Sequence, residues 1–353
     1  MSKGSEPGLY KRDRASGLAS ASGSRLAWVD TAKGLGILLV ILCHVHNEGV
    51  VNDWIYSFHM PLFFFLSGYL FRAGDDPRDF LRRKVRSLLV PYFAFGIPLT
   101  IFDVLWCGGS LADVPWALLH LCLQKRMYTL WFLACLFVLE VLLFVLVYSF
   151  RCSMSQWILL CLVLPVGGWI YYLLGGGSLY WNIDVVPMAF PFLCGGYFVR
   201  QWSARSGERW ERMRVRGPVF WLAVGLAVNV CCYVLNVVLV GGGLEFFHCH
   251  YGVLPLTYAS AFGGILMVCM ACQFLHSRVL TYVGRNSMLF FAWHQTFGLP
   301  VVRELMTAVG ADPEGMTAAC LPGSVLVQFV LVLVMMAGCN EVVKVLRGML
   351  VRR

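Results

Sequence analysis

In the stretch KGLGILLVILCHVH, residues 33 to 46, two side chains have types and spacing suited to chemistry. Lys33 and His44 stand eleven positions apart, close to three helical turns, so on a helix they share one face about 16 Å apart along the axis. An imidazole can take and return a proton near neutral pH. A lysine offers a point charge to a phosphate. Asp30 lies about one turn before Lys33 on nearly the same side. His46 points almost opposite to His44, so the two cannot chelate one metal from a regular helix. His46 therefore reads as an interfacial residue.

A second imidazole, His59, opens YSFHMPLFFFLSGYLF, residues 56 to 71, at a depth similar to that of His44. Pro61 starts or kinks that helix, and Ser67 with Gly68 makes it thin enough for close helix approach. RRKVRSLLVPY, residues 82 to 92, then places four cations within five positions and ends on Tyr92. Arg83 and Arg86, three apart, fall on one helical face and could grip a phosphorylated cofactor. The same cluster also reads as an anchor for lipid phosphates. A third imidazole, His294, lies in NSMLFFAWHQTF. A histidine base needs a group to orient it. Asp30 is about 21 Å away along the helix from His44. The partner is therefore expected from another span: Asp184 or Glu245 at the outer rim, or Glu140 if its span sits closer to the outside.

The elements that must hold these residues are membrane helices. The chain of 353 residues is 59% hydrophobic and 13% charged, about half the charge of a soluble domain, and its mean hydropathy is +0.71. The sequence predicts an all-α integral membrane protein, a bundle of about ten transmembrane helices. The spans are 27–47, 55–72, 87–106, 129–150, 156–174, 183–200, 218–240, 253–275, 287–303 and 323–346, each near the length a bilayer requires. Residues 1–25 read as a disordered basic cytoplasmic tail, and residues 26–353 as one multispan membrane domain. With the N-terminus inside, all of the 28 basic residues except Lys125, Arg126 and Arg303 fall on the inner side, so both termini are expected in the cytoplasm. That placement assigns the net charge of +9 to topology and to membrane lipids, and argues against a nucleic-acid partner. The outer loops are rich in glycine and aromatics, which suit an interfacial belt or a platform for a sugar. Most of the 14 cysteines lie inside apolar runs, where cysteine behaves as a small hydrophobe. Cys269 and Cys272 have no second pair to complete a zinc site. No metal is expected, and a disulfide among Cys107, Cys249 and Cys320 is only weakly supported.

DTAKGLGILLVILCH, YSFHMPLFFFLSGYLF, RRKVRSLLVPY, LWFLACLFVLE, PFLCGGYF and NSMLFFAWHQTF occur in this order along the chain. The series resembles the motifs of the acyltransferase-3 superfamily of multispan membrane O-acyltransferases, and the tract through His59 is most similar to the fucose 4-O-acetylase-like branch. The resemblance implies an acyl-CoA-dependent enzyme of the cell (inner or plasma) membrane that moves an acetyl group from cytoplasmic acetyl-CoA to a hydroxyl of an extracytoplasmic or lipid-linked glycan. It assigns His44, His59 and His294 to catalysis, and Asp30, Lys33, Arg83, Arg86 and Tyr92 to the donor. Ser67, Trp131, Asp184 and Glu245 are the expected acceptor contacts. Lysine at position 33 replaces the family's usual arginine and forgoes a bidentate phosphate grip. The competing reading is a proton-coupled transporter or exporter of a small polar solute or glycan precursor, which intramembrane histidines and carboxylates also suit.

Overall fold

The computed structural model describes residues 26–46, 49–74, 76–313 and 322–351. The tail 1–25 and Cys320 lie outside the described residues. Within the described residues the elements are helical, apart from one isolated bridge between Glu245 and His250. Eight of these helices are long and apolar enough to cross a bilayer. They correspond to eight of the ten expected spans. The other two, 55–72 and 287–303, are interrupted, and both interruptions carry a histidine.

Helix α1 (Ala27–Val45) is the first span. The next passage is divided between α2 (Val50–Tyr56), at the rim, and α3 (His59–Tyr69). At the break the Ser57 hydroxyl donates to the Trp54 carbonyl at 2.7 Å. Helix α3 has 11 residues, about 16 Å of rise against a hydrocarbon core of about 30 Å. Every residue of α3 except Ser67 is buried, as befits a helix that is apolar all round and enclosed by protein.

Helix α4 (Pro77–Lys84) starts where the Asp76 carboxylate accepts from the Arg78 N–H at 2.8 Å, with Pro77 in the first turn, where its missing N–H costs nothing. A π turn (Val85–Leu89) joins it to α5 (Val90–Trp106). Helix α6 (Val114–Leu123) lies in what the sequence reads as an outer loop. Its run VPWALLHLCL is apolar enough to re-enter beside α5, where Leu121 packs on Gly96. There follow α7 (Trp131–Val145), which runs into a second π turn (Leu146–Phe150), and α8 (Met154–Leu173), which opens on a reciprocal Ser153–Gln156 cap. Next come α9 (Val186–Arg216), α10 (Pro218–Val240), α11 (Leu254–Ala271) and α12 (Arg278–Arg285). The last passages are α13 (Ser287–Trp293), a third π turn (His294–Gly298), α14 (Leu299–Ala308) and α15 (Pro322–Val351).

Lipid tails are as apolar as leucine, so membrane helices associate through close packing and interhelical hydrogen bonds. Glycine supplies that packing here. Gly34 of α1 lies against the Leu280 backbone of α12, and Gly284 of α12 against the Asp30 backbone of α1. Gly68 of α3 meets the Leu193 backbone of α9, and Gly196 of α9 meets the Phe65 backbone of α3. A Cβ at any of the four would collide with main chain. These contacts lock α1 and α3 to their neighbours and so set the position of His44 and His59.

Candidate active site

A cavity of about 880 Å³ opens at the end of the bundle where α1 terminates. His44 and Val40 of α1 and His59 and Met60 of α3 line its inner part. The cavity floor at Val40 stands seven residues above Lys33, about 10 Å along the axis. Trp131, Trp169, Tyr172 and Phe246 form aromatic walls. Asn52 and Asp53 of α2 and Glu245, His248 and His250 of the 241–252 loop form the mouth. Burial first, and then the charge of Glu245, hold the Asp53 carboxyl above its ordinary range.

His44 and His59 line this cavity, and His294 packs against His44 outside the lining. The His44 and His294 rings have centroids 5.0 Å apart, and His44 also lies within electrostatic range of His59. Both partner rings are fixed by main chain rather than by a carboxylate. His59 Nδ1 is 3.0 Å from the Ile55 carbonyl oxygen. His294 Nδ1 is 2.9 Å from the Phe290 carbonyl and 3.0 Å from that of Phe291. A carbonyl only accepts, so in a neutral ring Nδ1 carries the proton and Nε2 holds the lone pair. His294 Nε2 is fully buried and has no hydrogen-bond partner among the described residues. The π turn that begins at His294 supplies the widened geometry, and such turns often occur at functional sites. The ring of Tyr56 stands edge-on to His59 at 4.9 Å.

The opposite end of α1 carries charge. Asp30 accepts from Arg285 Nε at 3.2 Å. Lys84 Nζ is 2.7 Å from Glu140 Oε2, with both side chains largely buried, and Lys33 is within electrostatic range of the same carboxylate. Glu140 thus belongs to the Lys33 end and is too deep to orient His44. Arg83 Nη2 donates to the Ala73 carbonyl at 3.2 Å, and Arg86 is exposed on the π turn. The cation that turns inward from this cluster is Lys84.

The remaining sequence candidates separate. Trp131 and Glu245 line the cavity. Glu245 accepts from His248 Nδ1 at 2.5 Å. Asp184 is buried in an ion pair with Arg126 and accepts from the Leu179 N–H at 2.9 Å. Its carboxylate is thereby committed to joining loops rather than to His44. Arg126, counted from sequence as one of three outer cations, is the other half of that pair and also donates to the Phe247 carbonyl at 2.7 Å. Tyr92 lies beside α6 and away from the cationic cluster. Its hydroxyl donates to the Leu121 carbonyl at 2.5 Å and accepts from Gln124 at 2.8 Å. Ser67 sits two turns along α3 from His59, outside the cavity lining. Cys107 is exposed, whereas Cys249 is buried against Asp184, and both are free thiols.

A family model described as an acyltransferase domain matches residues 26–339, most of the chain. The chain belongs to the acyltransferase-3 family. No curated protein and no solved structure matches it. Membership makes the protein a multi-pass membrane acyltransferase. Read as an acyltransferase site, the cavity contains residues that the sequence did not single out. Asn52 and Asp53 precede an apolar run and look like any polar loop. Tyr56 and Gln295 each adjoin a motif histidine, and that adjacency was the available signal.

Proposed function

We propose that this acyltransferase moves an acetyl group from acetyl-CoA, bound at the Lys33 end, to a hydroxyl of a glycan or lipid-linked sugar in the cavity at the His44 end. The observation that carries this reading is one helix with a cationic group at one end and, at the other, a cavity lined by His44 and His59 with His294 packed against His44. Acyl transfer to a hydroxyl needs a base at the acceptor and a polarised thioester. His44 is assigned as that base. The acceptor O–H gives its proton to the imidazole, the new O–C bond forms, the C–S bond breaks, and the departing thiolate takes up the proton. His59 and His294 flank His44 as further imidazoles whose ring orientation the main chain fixes. Lys33, with Arg83 and Arg86, is assigned to the donor phosphates, and extended pantetheine is assigned to the packed stretch of about 10 Å between Lys33 and Val40.

The distribution of basic residues supports one orientation for this reading. Lys33 and the 82–86 cations belong on the cytoplasmic side of the cell membrane by the positive-inside rule, and the cavity then faces outward. Purified protein in liposomes, given acetyl-CoA labelled in the acetyl group and an extract of surface glycans, should release CoA and transfer label to the glycan. Solute flux across the same liposomes with no consumption of acetyl-CoA would replace this reading with transport.

A further inference from the structure

The chain carries 28 Lys and Arg residues and a formal net charge of +9, yet among the described residues no Lys or Arg lines the cavity. The charged side chains there are two carboxylates, Asp53 from α2 and Glu245 from the facing loop, with His248 and His250 beside Glu245. Arg126, a loop cation that bonds to the lining residue Phe247, is spent on buried Asp184 and on the Phe247 carbonyl. An anionic group that entered would meet carboxylates and no guanidinium or ammonium to replace its hydration. Burying an unpaired charge is costly, and like charges at close range reject a ligand. The aromatic walls Trp131, Trp169 and Tyr172 offer flat apolar faces of the kind that stack on the C–H faces of a sugar. At the inner end His44 lines the cavity, and the buried His294 ring packs against it with centroids 5.0 Å apart.

We infer that the acceptor unit entering this cavity is a sugar without negative charge, and that Asp53 and Glu245 exclude uronate, phosphate and sulfate groups from it. On a lipid-linked acceptor, the sugar enters and the phosphates stay outside the mouth. This rests on the acetyl-transfer reading above, but binding tests it separately from turnover.

The test uses the full-length protein in detergent at pH 8, with methyl glucoside and methyl glucuronide as matched probes. Quenching of tryptophan fluorescence reads binding, since Trp131 and Trp169 line the site. The glucoside should bind at least about tenfold more tightly than the glucuronide, a difference of about 1.4 kcal/mol. In an Asp53→Asn/Glu245→Gln variant that ratio should shrink towards one, with the glucuronide gaining affinity. An unchanged thermal unfolding midpoint shows that the variant is folded, and each single variant should give an intermediate ratio. Equal or tighter glucuronide binding to the unmodified protein, an unchanged ratio in all three variants, or no saturable binding of either probe would overturn the inference. Selective binding without acetyl transfer to the glucoside would uphold it and count against the acetyl-transfer reading alone.

Discussion

Asn229 is fully buried at the α10–α11 contact, and its substitution should disturb the site from a distance. Its Oδ1 accepts from Trp54 Nε1 at 2.6 Å. Its Nδ2 donates to the Ser57 hydroxyl at 3.1 Å and to the Ser260 carbonyl and hydroxyl at 2.9 and 3.0 Å. Trp54 and Ser57 flank the break between α2 and α3, two residues before His59. In Asn229→Ala, Ser57 keeps its bond to the Trp54 carbonyl and Ser260 keeps its bond to the Asn229 carbonyl. The Trp54 indole loses its acceptor. An orphaned buried donor costs about 1–3 kcal/mol, and each interhelical bond lost in a membrane bundle about 0.6 kcal/mol. We expect a total of about 3–5 kcal/mol on these figures, read from reversible unfolding in mixed detergent micelles. Asn229→Asp keeps the acceptor for Trp54 but sets a carboxylate oxygen against the Ser260 carbonyl, so it should cost at least as much as Asn229→Ala. Because the break carries His59, turnover should drop in Asn229→Ala while CoA affinity holds. A stability change under about 0.5 kcal/mol, the range of neutral surface substitutions, together with full turnover, would refute the idea that this network fixes the break.

Glu140→Gln removes the partner of largely buried Lys84. It should cost about 1.5–3 kcal/mol, the scale of a charge-assisted hydrogen bond, and Lys84→Met in the same background should recover part of it. Arg83→Ala and Arg86→Ala should each weaken CoA binding in titration calorimetry by about 1.5–3 kcal/mol if both grip phosphate; unchanged affinity in both would return the cluster to anchoring. A cysteine at position 78 should resist an impermeant reagent in intact cells and one at position 113 should react, because the positive-inside rule places the first in the cytoplasm. The reverse labelling pattern would invert the donor and acceptor sides.

Hydrophobicity and motif order carry a large part of this fold. The first span and the long apolar runs are legible because membrane helices need about 20 apolar residues. The breaks are not legible. FFFLSGYLF reads as one more span, and nothing in its composition says that α3 will be wrapped on all sides by protein and end after 11 residues. The π turn at His294 has no sequence signal either, yet together with the Phe290 and Phe291 carbonyls it sets that ring. Depth along a helix put His44, His59 and Glu245 near one level, which is where the cavity lies. Depth says nothing of azimuth, which is why Asp184 looked available and is instead spent on Arg126. The direction in which Lys84 turns, towards Glu140, depends on the packing of α4 against α7 and could not be read from four adjacent cations.

The central claim is that His44 removes the acceptor proton at the far end of a helix whose near end receives the donor. Acetyl transfer by purified His44→Ala tests it most directly, with His46→Ala as the matched control two residues away. His44→Ala should lose about two to four orders of magnitude in turnover, as loss of a general base does, with CoA binding intact. His46 caps the end of α1 and does not line the cavity, so His46→Ala should stay close to the unmodified rate. If His44→Ala kept more than about a tenth of the turnover, far above the residue left by general-base removal, the base would be another side chain and the shared face of Lys33 and His44 only a matter of packing.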